Sequence, residues 1–237
     1  MSLWLQDESG KEHLVNASVN QAKFSPDGSK IAYATSDGNL HIEDLQGGKL
    51  AEVQGAYSPN WKPDGSAVVF SKVPEGQDVH QLGGGAHLAA LDLATSKVNL
   101  LTDGRFNDSL PEFNPSSDWI IFVSGARTGL ASFWKVPVTG GEPVQLTNVG
   151  LEEVNEKFVP VPYDKTMWSK DKRWFVYDYK DGVDEETWGL EFDEAGTIKQ
   201  ATKLANGINP RWQADGRTFV CEKHVNGIAQ AVLGNLP

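Results

Sequence analysis

Cysteine is almost missing from this chain. Cys221 is the only one, which excludes an internal disulfide and any cysteine-rich metal site. No apolar run reaches about 18 residues, so no transmembrane helix and no membrane insertion are expected. Basic residues are in short supply: 21 Lys and Arg stand against 32 Asp and Glu, a net charge of −11. That balance disfavours non-specific binding to nucleic acid or to an anionic membrane surface. No stretch shows the periodicity of an amphipathic helix of useful length. A signal peptide is also missing, because Met1-Ser2-Leu3 leads directly into polar, strand-like sequence. That opening resembles an expression-vector start, so an exported, periplasmic protein with its signal removed is favoured over a cytoplasmic one.

What the chain does contain is repetition. Apolar residues make up 39% of it and tryptophans number eight, which suits a packed globule. At 237 residues it can bury roughly 70–75% of its unfolded surface. The stretch Phe24-Ser25-Pro26-Asp27-Gly28-Ser29-Lys30-Ile31-Ala32-Tyr33 reads as a strand end, a tight turn and a second strand. Pro26 presets φ, Asp27 suits the next turn position, and Gly28 can adopt φ > 0 at a bulge. The same frame returns on Trp61, Phe113, Trp168 and Trp212. Its third and fourth copies carry Ser117 and Lys172 where the others have glycine, so their turns are expected to differ.

Seven and nine residues after each anchor stand Ile31 and Tyr33, Val68 and Phe70, Ile120 and Phe122, Phe175 and Tyr177, Phe219 and Cys221. The intervening position is apolar too (Ala32, Val69, Ile121, Val176, Val220), so this strand is buried on both faces. A glycine-bearing turn, a third strand, a further turn and a fourth strand follow. Four antiparallel strands repeated every 37 to 55 residues describe a propeller blade. The fold class is therefore all-β, a single β-propeller domain over residues 1–237. About 21 strands are countable, which favours five blades, with six as the alternative. The N-terminal segment, Leu3–Asp7 and His13–Asn16, is expected to close the ring by joining the C-terminal blade.

The repeat Phe24–Tyr33, together with the turn and strand Gly140-Gly-Glu-Pro-Val-Gln-Leu-Thr147, resembles the TolB-like, WD40-like (PD40) β-propeller repeat across essentially the whole chain. The resemblance implies periplasmic assemblies with partner proteins, propeller domains of serine peptidases, or carbohydrate-active lyases. A Gly-x-Ser-x-Gly elbow and room for a hydrolase domain are both lacking, so peptidase activity is not carried over.

Blade connectivity divides the loops into two faces. One carries the short turns of the frame. The other carries the insertions 73–87, 102–112, 125–130, 148–165 and 180–186, and is expected to be the functional face, with the channel mouth. The candidate binding residues there are His80, His87, Asp108, Glu112, Arg127, Tyr163, Asp164, Asn209 and Arg211. His80, His87 and Asp78 have metal-ligand chemistry in too loose a spacing, and a solvated loop is the preferred reading, so no metal or cofactor is expected. Gly83-Gly84-Gly85 precedes a strand and reads as a turn more readily than as a phosphate cradle. Asp178, Asp181, Asp184, Glu185 and Glu186 miss the spacing of a calcium loop. Asp108, Glu112 and Asp164 could supply a glycosidase carboxylate pair, or could bond neighbouring backbone amides. Cys221 reads as a small buried apolar residue. The leading expectation is a non-enzymatic interaction propeller for a protein or peptide. Residues 147–194, with 13 acids against six bases, favour a basic partner. The alternative is a carbohydrate-active enzyme or lectin taking an oligosaccharide.

Overall fold

A computed structural model describes residues 2–6, 9–74, 85–125, 127–129, 131–147, 166–182 and 184–237. Twenty-one strands and no helix occur among them. An N-terminal hairpin pairs β1 (Leu3–Gln6) with β2 (Glu12–Asn16). The first blade runs β3 (Val19–Phe24), β4 (Lys30–Thr35), β5 (Asn39–Asp44) and β6 (Lys49–Gln54). The second is β7 (Ala56–Trp61), β8 (Ala67–Lys72), β9 (His87–Asp92) and β10 (Lys97–Leu100). The third is β11 (Asp108–Phe113), β12 (Trp119–Ser124), β13 (Ser132–Pro137) and β14 (Val144–Gln145). The fourth is β15 (Thr166–Trp168), β16 (Trp174–Asp181), β17 (Asp184–Phe192) and β18 (Ile198–Ala205). The last has three strands, β19 (Ile208–Trp212), β20 (Thr218–Val225) and β21 (Ile228–Asn235). The fold is a five-bladed β-propeller with antiparallel blades.

Contacts gather the chain into two compact units, residues 1–129 with 134–144, and residues 130–133 with 145–237. In the first unit, Ala32, Leu40 and Ile42 of one blade pack with Trp61, Val68 and Phe70 of the next. A second layer joins Val69 and Leu88 to Phe113, Ile120 and Phe122. In the second unit, Trp174 and Val176 pack with Leu236, Leu204 and Trp212. The anchor tryptophans fasten neighbouring blades: the Trp61 indole N–H donates to the Lys23 carbonyl at 2.9 Å, and that of Trp212 to the Trp168 carbonyl at 2.9 Å.

The two N-terminal strands pair with each other as a hairpin, and Leu5, Leu3 and Val15 pack their apolar face on Val19, Ile31 and Tyr33 of the first blade. One expectation needs correcting. The frame turn is the same in all five copies. An amide donates back to the residue three earlier in each: Gly28 to Ser25, Gly65 to Lys62, Ser117 to Asn114, Lys172 to Ser169 and Gly216 to Gln213. Ser117 and Lys172 sit at φ 62° and 65°, beside 71°, 72° and 67° for the three glycines. Two strands of fixed register impose the left-handed residue whatever its side chain.

Candidate functional site

Of the nine candidate residues, His80, Tyr163 and Asp164 lie outside the described residues, as do Asp78, Gly83, Gly84 and the whole insertion 148–165. Three of the others, His87, Asp108 and Arg127, come together in the first unit. The Asp108 amide donates to the Ala86 carbonyl at 3.0 Å, so the start of β11 sits beside the start of β9. Its carboxylate is 0% exposed and faces Arg127, whose Nη2 and Nε donate to the two carboxylate oxygens at 2.8 and 3.2 Å. The Arg127 guanidinium lies over the Phe106 ring, 4.5 Å from its centroid, with Trp134 at 5.5 Å and Phe122 at 5.9 Å. A planar cation can accept aromatic faces while forking a carboxylate, which an ammonium cannot match.

His87 closes the other side of this cluster. Burial, and then the charge of Lys72, hold its imidazole below the usual histidine range. Gly104, at φ 71°, leaves room for the imidazole: a Cβ there would strike its Nδ1. Gly85 in turn abuts the Gly104 carbonyl, where any side chain would collide. The glycine of that run which is described thus serves close backbone approach. Glu112 is buried further along β11.

Asn209 and Arg211 lie in the second unit on β19. The Asn209 amide donates to the fully buried Asp178 carboxylate at 3.3 Å. Arg211 is exposed and lines a groove of about 400 Å³ with Asn209, Glu222, Val220, Ala229 and Ala231. The supposed insertion 180–186 is a continuation of strands, with Asp181 opposite Asp184 across a tight turn. Strand alternation scatters its acids. Glu185 receives the His224 amide at 3.0 Å and Lys180 at 3.2 Å, whereas Glu186 pairs with Lys203 and with the Trp188 indole at 2.6 Å. Among the described residues, no three His, Cys, Asp or Glu side chains are grouped to hold a metal ion. Cys221 is buried, and burial raises its thiol pKa.

One recurrent feature escaped the sequence reading. Ser58, Leu110 and Asn209 have φ of 51°, 51° and 55°, and each stands three residues before an anchor on an innermost strand. Register shifts between Tyr57 and Asn60, Ser109 and Glu112, and Ile208 and Arg211 mark a bulge at each. The available signal was the proline after each one, Pro59, Pro111 and Pro210, always two residues before the aromatic. Proline supplies no amide to the ladder, so each bulge forms where pairing was already interrupted.

No protein-family model matches the chain. An uncharacterised protein of Agrobacterium fabrum is 24% identical over 221 residues, 84% of this chain and 68% of that protein. The Tol-Pal system protein TolB of Francisella tularensis is 29% identical over 89 residues, 38% of this chain and 19% of that protein. Among solved structures, TolB from Acinetobacter baumannii superposes with a TM-score of 0.67 at 19% identity, over 98% of this chain and 56% of that one. A TolB-type structure from Agrobacterium tumefaciens gives 0.65 at 18% identity, over 100% and 83%. Oligogalacturonate lyase from Vibrio parahaemolyticus gives 0.57 at 12% identity, over 99% and 83%. The chain is TolB-like in fold, and it spans about half the length of the Acinetobacter TolB and a fifth of the Francisella one.

Proposed function

We propose that this TolB-like propeller is a non-enzymatic binding module that docks a protein or peptide on the face formed by its long-loop ends. The observation carrying the reading is the Asp108–Arg127 pair. A sugar-cleaving carboxyl must exchange a proton, which calls for an accessible acid and commonly a raised pKa. Asp108 is instead sealed from water and both its oxygens are taken by Arg127. Its chemistry is spent on fixing the segments 101–107 and 125–129 against one another, which gives the rim a preformed shape. A preformed rim lowers the ordering cost of binding a partner. The acidic surplus of residues 147–194 favours a basic partner, with Asp181 and Asp184 exposed on that face to meet it. The likeness to oligogalacturonate lyase concerns the fold.

The test is hydrogen exchange and thermal shift with three probes: a lysine- and arginine-rich peptide set, a charge-neutral peptide set and oligogalacturonides. Binding of a peptide with protection of amides in 101–107 and 125–129 is expected. Protection confined to the short turns at 25–30 and 62–67, or a response to the oligosaccharide alone, overturns the proposal.

A further inference from the structure

The second strand of every blade begins six residues after its anchor, at Lys30, Ala67, Trp119, Trp174 and Thr218. In the first three blades it is six residues long, whereas β16 and β20 have eight. The extra residues therefore fall at the far end, on the long-loop face. There they build two raised hairpins: Lys180 stands opposite Glu185 in the fourth blade, and His224 opposite Ala229 in the last. One histidine joins the two. The His224 amide donates to Glu185 Oε2 at 3.0 Å, and its ring Nδ1 lies 3.0 Å from both oxygens of the same carboxylate. The other ring nitrogen, Nε2, lies 2.8 Å from Glu222 Oε1, two residues back on β20. Lys180 also bonds Glu185, at 3.2 Å.

We infer that His224 is a proton-operated latch between these two hairpins, and that its release frees Glu185 and Glu222 for a basic partner. The inference deepens the docking reading above and rests on it for the partner. A neutral imidazole has a single N–H, and its second nitrogen is an acceptor. With carboxylates at both nitrogens, one of them would face a lone pair across 2.8 or 3.0 Å, so only the imidazolium satisfies both. Imidazole is the side chain that changes charge between about pH 5 and 8. The other charges nearby do not replace that proton. Lys180 reaches Glu185 alone, and Lys203 is committed to Glu186. Asp181 and Asp184 close the neighbouring tip, Lys223 alternates to the other face of β20, and Arg211 shares a groove with Glu222. On β21 the facing residues, Ala229 and Gln230, are uncharged. Burial works against the Glu185 charge, yet the His224 amide, the His224 ring and Lys180 hold that carboxyl below the usual carboxylate range. Glu185 therefore stays ionised throughout the imidazole range, and the ring is the member that switches. As pH rises the ring gives its proton to solvent, the hairpins lose an ionic contact, and two carboxylates gain capacity for a lysine or arginine of the partner.

Amide hydrogen exchange of the protein alone tests the latch, at about pH 5 and about pH 8 and corrected for the intrinsic rate of each amide. Residues 184–186 and 222–225 are expected to exchange about threefold more slowly at the lower pH, the scale of a partly exposed ion pair. The difference should vanish in His224→Gln, shrink in Glu222→Gln, and persist in His13→Gln, which removes a histidine of the N-terminal hairpin instead. Native tryptophan fluorescence identifies a variant that has failed to fold. Anisotropy titration of a lysine-rich, histidine-free peptide reads the consequence: affinity should rise about threefold from the lower pH to the higher, and stay level in His224→Gln. Protection equal at both pH values overturns the latch, as does a pH difference that His224→Gln leaves intact or an affinity that falls as pH rises. A peptide that binds at neither pH while the exchange difference persists overturns the docking reading instead, and leaves the latch standing without its partner.

Discussion

The frame turn shows what one residue is asked to do. Gly28 has open space around its Cβ position, so Gly28→Val costs only the backbone strain of a β-branched residue at φ 71°, about 1–3 kcal/mol. The same reasoning reversed applies to Ser117 and Lys172, which hold that conformation without being glycine. Replacing either with glycine should stabilise the chain by about 1 kcal/mol, read as a raised urea midpoint with an unchanged slope. A lowered midpoint in both would show that their side chains contribute more than the strain they carry. The turn carboxylates add a pH dependence. Hydrogen bonds from the Ser66 hydroxyl, then from Lys62, hold Asp64 at about 2, and the Thr218 hydroxyl followed by the Arg217 amide does the same for Asp215. Both lie below the ordinary 3.8, so their stabilisation is complete above pH 3.8 and is lost as pH falls towards about 2. The melting temperature should decline through that window, and less steeply in Asp64→Asn and Asp215→Asn. The third copy has Ser116 in place of the aspartate, and Asn114 takes over, its side-chain oxygen accepting the amides of Asp118 and Trp119 at 3.0 and 3.1 Å. The recurrence of the turn was legible in sequence. Its survival without glycine was not, because the constraint comes from paired strands on both sides.

At the scale of elements, the segments 101–107 and 125–129 depend on one ion pair. Arg127→Met would leave Asp108 buried without its counter-charge, which costs about 3–5 kcal/mol. The double variant Asp108→Asn with Arg127→Met should recover part of that loss, since neither member then carries an uncompensated charge. Denaturant titration of the single and double variants measures the coupling, and equal losses in both would remove the pair from its supporting role. The sequence offered Asp108 and Arg127 as separate binding candidates, and nothing in their 19-residue spacing announced a pair. Their meeting follows from antiparallel geometry: Asp108 begins β11, opposite Ser124 at the end of β12, and Arg127 is three residues further on. The aromatic bed was hidden for the same reason, because Phe106 precedes β11 whereas Trp134 lies within β13. By contrast, 180–186 reads in sequence as a loop insertion because it is polar and holds the Asp181-Gly182 turn. Its acids are in fact strand residues alternating between faces, with Glu185 paired to Lys180 and His224 and Glu186 to Lys203.

For the molecule as a whole, strand count and blade class could be read from periodicity alone, since each blade repeats one buried column. The N-terminal segment adds a pairing of its own, since β1 and β2 satisfy their ladder as a hairpin and bury their apolar face on the first blade. That distribution of structure leaves charge as the property most relevant to a partner. Surplus acid lies in 147–194, whereas the last blade carries none, so a basic peptide should be drawn to one region rather than to the whole surface. Such steering acts over a Debye length, about 10 Å at 0.1 M salt and about 3 Å at 1 M. Affinity for a lysine-rich peptide should therefore fall steadily as salt is raised, mainly through a slower association rate. Asp181→Asn with Asp184→Asn should flatten that dependence, because both carboxylates are exposed in the acidic region. Arg211→Gln should leave it unaltered, since Arg211 belongs to the blade without the surplus. Stopped-flow association at a series of salt concentrations separates these outcomes. Rates insensitive to salt would mean that shape at the rim, fixed by Asp108 and Arg127, selects the partner without help from charge.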